Sequence, residues 1–339
     1  MGGSRGPRTP TALALVLAVA VAALTGYVIS RPRAGSHDTS PIDSPIPTPN
    51  SPFSTIGFSV ADDVANHQVV VFGGDLSLNQ TWLWNGTSWK LSHPRTSPVG
   101  REEAAMAYDP ELHMVLLFGG ISPVQTFLDD TWGWDGTTWH ELDPGHDGPP
   151  PGQAAMAWDP ALDAMVLVAA SNSGTDTWTW SGTHWVDHRQ IDPYLPTGVL
   201  LLAFDPAVNR LIGVGFGNVI GPGVGAVTQT WTWDGVTWRQ ITTPRVPSGY
   251  GVLGLGWDPV TARLLLFLEG PVTPVPILAW AFTGSDWMQL PSPVAPRLIE
   301  GLLTGADTGT LFLVGELSEA QGASTPLDVW AWTGSAWKR

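Results

Sequence analysis

The chain has 339 residues, none of them cysteine, and only 13% of them charged. Without cysteine there are no disulfides, no thiolate nucleophiles and no cysteine-ligated zinc. Basic residues are scarce: 15 Lys and Arg face 30 Asp and Glu, a net charge of -15, which argues against a surface built to follow nucleic-acid phosphates. What remains is apolar and turn-rich, with 43% hydrophobic residues, 39 Gly, 31 Pro and 19 Trp. Gly and Pro at about a fifth of the chain exclude helix bundles yet fall below the range of disordered or collagenous sequences. The apolar share suffices for a sizeable core.

The amino-terminal end has its own organisation. Residues 1–10 are expected to be a short cytoplasmic segment, and residues 11–29 (TALALVLAVAVAALTGYVI) carry no charge. A run of this length matches the roughly 20 residues needed to cross a hydrocarbon layer as a helix. It extends past Ala20, Ala22 and Ala23, where a signal peptide would be cut, so the expectation is an uncleaved single-pass anchor, with cleavage and secretion as the alternative. Residues 30–52 are rich in Pro, Ser and Thr, and their X-Pro bonds favour an extended stalk.

From residue 53 to residue 339 one pattern, x-W-x-W-x-G-x-x-W, recurs six times, beginning at Thr81, Thr131, Thr177, Thr230, Ala279 and Val329. The fifth copy has Phe282 in place of its second Trp. A period of about 50 residues signals a stacked or radial repeat. Each copy reads as four short strands. The first ends in Asp-Pro in copies two to five (Asp109, Asp159, Asp205, Asp258), a turn-initiating pair. The second is continuously apolar, as in VVVF from Val69 and VLLF from Val115, which implies burial on both faces. The third carries the W-x-W pair on one side of the strand. A tight hairpin at Asn85-Gly86, Asp135-Gly136 or Asp234-Gly235 leads into the fourth, and two-residue turns with left-handed angles at both positions are expected there.

A four-stranded unit with one greasy face is stable only when neighbours cover it, so the fold class is all-β, a six-bladed propeller of antiparallel blades. Its adhesive is a set of twelve tryptophans: Trp82, Trp89, Trp132, Trp139, Trp178, Trp185, Trp231, Trp238, Trp280, Trp287, Trp330 and Trp337. Blades one and six are expected to meet without exchanging a strand.

Copies one and two end their second strands in glycine pairs, Gly73-Gly74 and Gly119-Gly120, and Trp82 to Trp89 and Trp132 to Trp139 keep a seven-residue interval. In these features the sequence resembles the kelch-repeat β-propeller family. Later copies depart, with Ala169-Ala170, Glu269-Gly270 and Gly315-Glu316 in place of the pair. The resemblance implies a propeller, not a reaction. Its copper-radical oxidase relatives need a cysteine that this chain lacks.

Variable loops should lie on the rim opposite the Asp-Pro turns, and binding is expected there. Arg101, Arg245 and Arg297 fall near the starts of first strands, with Glu103 and Glu300 beside them and Tyr194 and Tyr250 in similar connections. Arginine suits planar bidentate partners and tyrosine suits a sugar face, so these seven are the candidate ligand-binding residues, on the premise that they face the central funnel. Asp130, Asp176 and Asp328, each two positions before a first Trp, have a structural reading instead. His140, Glu141, Asp143, His146 and Asp147 do not follow a His-Glu-x-x-His spacing and read as a solvated connection. No cofactor, metal or catalytic constellation is expected. The functional expectation is a monomeric, membrane-tethered extracytoplasmic propeller that binds a protein or glycan ligand, with a carbohydrate-active hydrolase or lyase as the alternative.

Overall fold

The computed structural model describes residues 57–74, 79–145, 147–171, 174–188, 200–216, 226–249, 252–270, 277–291, 298–305, 310–316 and 327–338. Residues 1–10, the apolar run 11–29 and the stretch 30–52 lie outside the described residues, and among those described no helix is long and apolar enough to cross a membrane.

Six antiparallel sheets follow one another along the chain, each with its first four strands in sequence order. Blade one comprises Ser59–Asp63, Gln68–Phe72, Thr81–Trp84 and Trp89–Ser92. Blade two repeats this with Ala105–Asp109, Met114–Phe118, Thr131–Trp134 and Trp139–Asp143. Blade four adds a short strand, Ser248–Gly249, paired with Ala226–Val227. The innermost strands touch in succession, and Ser59–Asp63 packs against Leu298–Gly305 of blade six, so the ring closes with no strand exchanged.

The second strands have no solvated face: Val115, Leu116, Leu117 and Phe118 are each fully buried. One half of their side chains meets the preceding blade and the other half the following one, which explains why their sequence does not alternate. Six apolar clusters result, each shared by two adjacent blades. Tryptophan sits at the centre of each. Trp139 meets Phe72 of the previous blade edge-on at 5.2 Å, and Trp185 meets Phe118 at 5.8 Å.

The indole N–H groups explain why threonine precedes the first Trp in four copies. The last Trp of each blade donates backward to that threonine in the blade before: Trp139 to Thr81 at 2.9 Å, Trp185 to Thr131 at 2.8 Å, Trp238 to Thr177 at 2.9 Å, and Trp287 to Thr230 at 2.8 Å. In copies five and six the position is Ala279 and Val329. Trp337 therefore has no acceptor for its buried Nε1 among the described residues, while Trp89 uses the Leu327 carbonyl at 3.1 Å.

One local expectation is corrected. The outer hairpins are four-residue turns, because Trp84 pairs with Trp89, and only the glycine is left-handed (φ 94° at Gly86). Asn85 keeps an ordinary φ, and its Oδ1 accepts from the N–H groups of Thr87 and Ser88, both at 3.0 Å. The Asp-Pro turns likewise close over four residues, with a left-handed residue at His113, Asp163, Asn209 and Ala262. Asp63 fills the same role in blade one without a proline, its carboxylate held by Asn66 and Gln68.

Candidate functional site

Among the described residues, the loop rim is most fully bonded around blade two, where its frame begins with the glycine pair. Gly119 and Gly120 have φ of 67° and 92°. A Cβ at Gly119 would come within 2.9 Å of the Gly152 carbonyl oxygen, and one at Gly120 within 2.7 Å of that of Glu102. Only glycine admits so close a backbone approach, which here joins the segments leading into blades two and three. The joint is hydrogen-bonded throughout: Ile121 N donates to Glu102 O at 2.8 Å, Leu128 N to Gly120 O at 2.9 Å, and Gly120 N to Gly152 O at 3.3 Å. Residues 122–126 form a small loop tied by Ser122, whose Oγ accepts from the Thr126 N–H at 3.1 Å.

Arg101 lies beneath this rim and is 1% exposed. Its guanidinium grips Asp130 through two bonds of 2.6 and 2.9 Å and donates to the carbonyls of Gly119 at 2.8 Å and Val99 at 3.1 Å. Asp130 also accepts from Trp132 Nε1 at 2.7 Å. Burial pushes the Asp130 carboxyl up, but the Arg101 hydrogen bonds and charge outweigh that and hold it below the usual carboxylate value. Arg101 is therefore a strut inside the wall rather than a hand in the funnel.

Three side chains of this stretch reach the surface in whole or in part. Phe127 is 51% exposed, its ring beside Gly152. Gln153, the next residue, donates through Nε2 to the Glu103 carboxylate, linking blades two and three. Glu103 is held at φ 59°, with its N–H bonded to the Gly57 carbonyl at 2.7 Å. A left-handed non-glycine residue is costly and marks a side chain whose direction the surroundings dictate. The set offers an apolar ring, a carboxylate acceptor and an amide within one short stretch of rim, a composition that can stack on and hydrogen-bond a polyhydroxylated ligand.

Of the seven residues expected to bind, the structure places Glu103 at this face and Arg101 beneath it. Arg245 is elsewhere, on the outer wall, where its side chain pairs with Asp286 at 2.8 Å and its N–H donates to the same carboxylate at 2.9 Å. The funnel premise thus fails for Arg101 and Arg245. Each is drawn to an aspartate of its own blade, one half-buried beside the first Trp and one at the outer hairpin. Tyr194, Tyr250 and Arg297 lie outside the described residues, and of Glu300 only the backbone, in strand Leu298–Gly305, is described. In the acidic and histidine-rich stretch, His140 Nε2 contacts Asp135 at 2.7 Å and Asp143 accepts from Gly145 N at 2.9 Å, while His146 is outside the described residues.

Phe127 and Gln153 escaped the sequence reading. The signal was the long stretch between Gly120 and Thr131, which contains the aromatic.

No family profile matches the chain, and no curated protein matches its sequence. Solved structures do match in fold. YjhT aligns with TM-score 0.58 and 12% identity over 86% of this chain and 98% of that one. SapL1 lectin, solved in complex with α-methyl fucoside, aligns with TM-score 0.55 and 13% identity over 85% and 96%. A variant of the Aleuria aurantia lectin in complex with Fucalpha1-6GlcNAc aligns with TM-score 0.56 and 15% identity over 85% and 96%. At these identities the likeness establishes the propeller fold alone.

Proposed function

We propose that the propeller is a non-catalytic glycan-binding module of kelch type, held outside the cytoplasm by residues 11–29. The observation that carries the reading is the half-exposed Phe127 ring beside Gly152, the residue before Gln153, whose amide is linked to the Glu103 carboxylate, on a rim stiffened by the pair of buried Arg101 and half-buried Asp130. Carbohydrate sites need few polar groups, provided that these are fixed in direction. The match to two lectins over nearly their whole length supports the reading, because their structures hold fucose-containing ligands. The kelch label rests on the glycine pairs and the Trp interval, and the tether on the uncharged run 11–29.

A glycan array that includes fucosylated chains, probed with the full chain in detergent, tests it. Binding should appear, and Phe127→Ala should weaken it by about tenfold, the loss of one stacking ring, with the melting temperature unchanged. An array with no signal, or a Phe127→Ala chain that binds as before, refutes the site. N-terminal sequencing of the mature protein tests the tether, since a start near Ser30 refutes an uncleaved anchor.

A further inference from the structure

The outer hairpin of blade one differs from its five counterparts in sequence. The six turns read Asn85-Gly86-Thr87, Asp135-Gly136-Thr137, Ser181-Gly182-Thr183, Asp234-Gly235-Val236, Thr283-Gly284-Ser285 and Thr333-Gly334-Ser335. In the first alone an asparagine stands two positions before a hydroxyl residue, the spacing of an N-glycan acceptor. The turn does not require the amide. Asp135 closes the same turn with one carboxylate oxygen, which accepts from the N–H groups of Thr137 and Thr138, both at 2.8 Å. Asp234 does so with Val236 and Thr237, at 3.0 and 2.8 Å. An acceptor oxygen is all that the backbone uses, so the Asn85 amide nitrogen is surplus to the fold.

Geometry leaves that nitrogen accessible. Asn85, Gly86, Thr87 and Ser88 are all exposed. Asn85 Oδ1 also accepts from the Thr87 hydroxyl, at 2.9 Å, and with the oxygen turned inward Nδ2 points out of the turn, with no partner among the described residues. The chain has a second match to the spacing, Asn79-Gln80-Thr81, but there the threonine is 0% exposed and its hydroxyl holds Trp139 Nε1 at 2.9 Å. The ground beside the blade-one hairpin is distinctive as well. In the other five blades the outer aromatic pairs, such as Trp134 with Trp139 and Phe282 with Trp287, are no more than 7% exposed. The chain entering blade two crosses its hairpin, Thr96 N donating to Thr138 Oγ1 at 3.1 Å and Trp139 N to Thr96 O at 3.2 Å. Trp84 and Trp89 are only partly buried, and they wall a hollow of about 550 Å³ with Gly86, Thr87, Ser88 and Val329 of blade six.

We infer that Asn85 is an N-glycosylation site and that the first sugars of its glycan lie in the hollow against Trp84 and Trp89. The volume is that of a small-ligand pocket, and indole faces suit the apolar side of a pyranose. The donor is an oligosaccharide carried on a lipid pyrophosphate. Asn85 Nδ2 bonds to its anomeric carbon and the bond from that carbon to the pyrophosphate oxygen breaks. The lipid pyrophosphate leaves with the electron pair, and the amide gives up one proton to base. The inference rests on the placement of the propeller outside the cytoplasm proposed above, and not on the blade-two binding site.

The full chain, expressed in a cell whose secretory pathway carries that donor and its transferase, tests the inference. Peptide mass analysis should find a glycan on Asn85 that peptide N-glycosidase releases, leaving Asp in its place. Asn85→Asp and Thr87→Val, which copy the turns of blades two and four and so keep the hairpin, should each abolish the modification, and Thr87→Ser should retain it. Acrylamide quenching of tryptophan fluorescence should rise when the glycan is released, by the share of Trp84 and Trp89. An exported chain with a bare Asn85 overturns this inference alone, whereas a chain that never leaves the cytosol overturns it together with the tether. Unchanged quenching on release removes the sugar from the hollow and overturns the inference as well.

Discussion

The seam between blades one and two and the seam between blades six and one join the same kinds of strand with different chemistry. At the first, Trp139 is 1% exposed, bonded to the Thr81 hydroxyl and crossed by Thr96, and Trp132 of the same blade bonds the Asp130 held by Arg101. At the second, Trp89 is partly exposed and bonded to a backbone carbonyl, because Val329 stands where four of the other five seams have threonine. Cluster membership also differs: the first seam buries Trp132, Trp134 and Trp139 fully, whereas Trp84 and Trp89 are only peripheral to the second. The difference shows that apolar burial is the common ground of every seam, while side-chain hydrogen bonds are an addition that a repeat can lose without losing the ring.

Removing the strut should break the comparison most strongly. Arg101→Met leaves the half-buried Asp130 without its cation, and the expected loss is about 2–4 kcal/mol of unfolding free energy in urea titration. A loss under 1 kcal/mol would mean that the pair is dispensable. The same variant isolates an acid effect. Because the Asp130 carboxyl is held below its ordinary value, its contribution is present above about pH 4 and is lost as pH falls through the lowered value. The stability gap between the native chain and Arg101→Met should therefore narrow below pH 4, and a constant gap from pH 7 to pH 3 would contradict the assignment. The buried turn aspartates Asp109, Asp159 and Asp205 have the opposite sign. Burial raises them despite their backbone hydrogen bonds, so their contribution is full at acid pH and fades as pH rises through their raised values.

Smaller effects should come from the threonines. Thr81→Val orphans the buried Trp139 N–H at about 1–3 kcal/mol. Its mirror, Ala279→Thr, supplies the hydroxyl that Trp337 lacks and should raise stability by about 1 kcal/mol, read as a higher melting temperature. The least change is expected from Val329→Thr, under about 0.5 kcal/mol, because Trp89 already has an acceptor at Leu327. A large gain there would show the carbonyl bond to be a poor substitute.

Most of the architecture was legible because tryptophan at a fixed interval reports both strand pairing and blade count, and buried second strands announce themselves as unbroken apolar runs. The threonine-to-tryptophan bonds escaped the sequence reading, although the change from Thr81, Thr131, Thr177 and Thr230 to Ala279 and Val329 marks them, because the direction of each indole is set by the fold. The site was less legible. Spacing gives the contacts within a strand pair, whereas the seats of Arg101 and Arg245 depend on how each incoming segment crosses its blade, and so on sheet twist. Nothing in the neighbourhood of Arg101 in the sequence points to Asp130, which is brought to it by a whole strand and loop.

Each of the first five blades carries, through its third strand, an acceptor position facing forward and, through its last indole, a donor facing backward. Where threonine holds the acceptor position, the contact is written half in one copy and half in the next. A duplicated copy bearing both halves would keep this bond with any two neighbours that bear them. Blades two, three and four meet that condition on both sides.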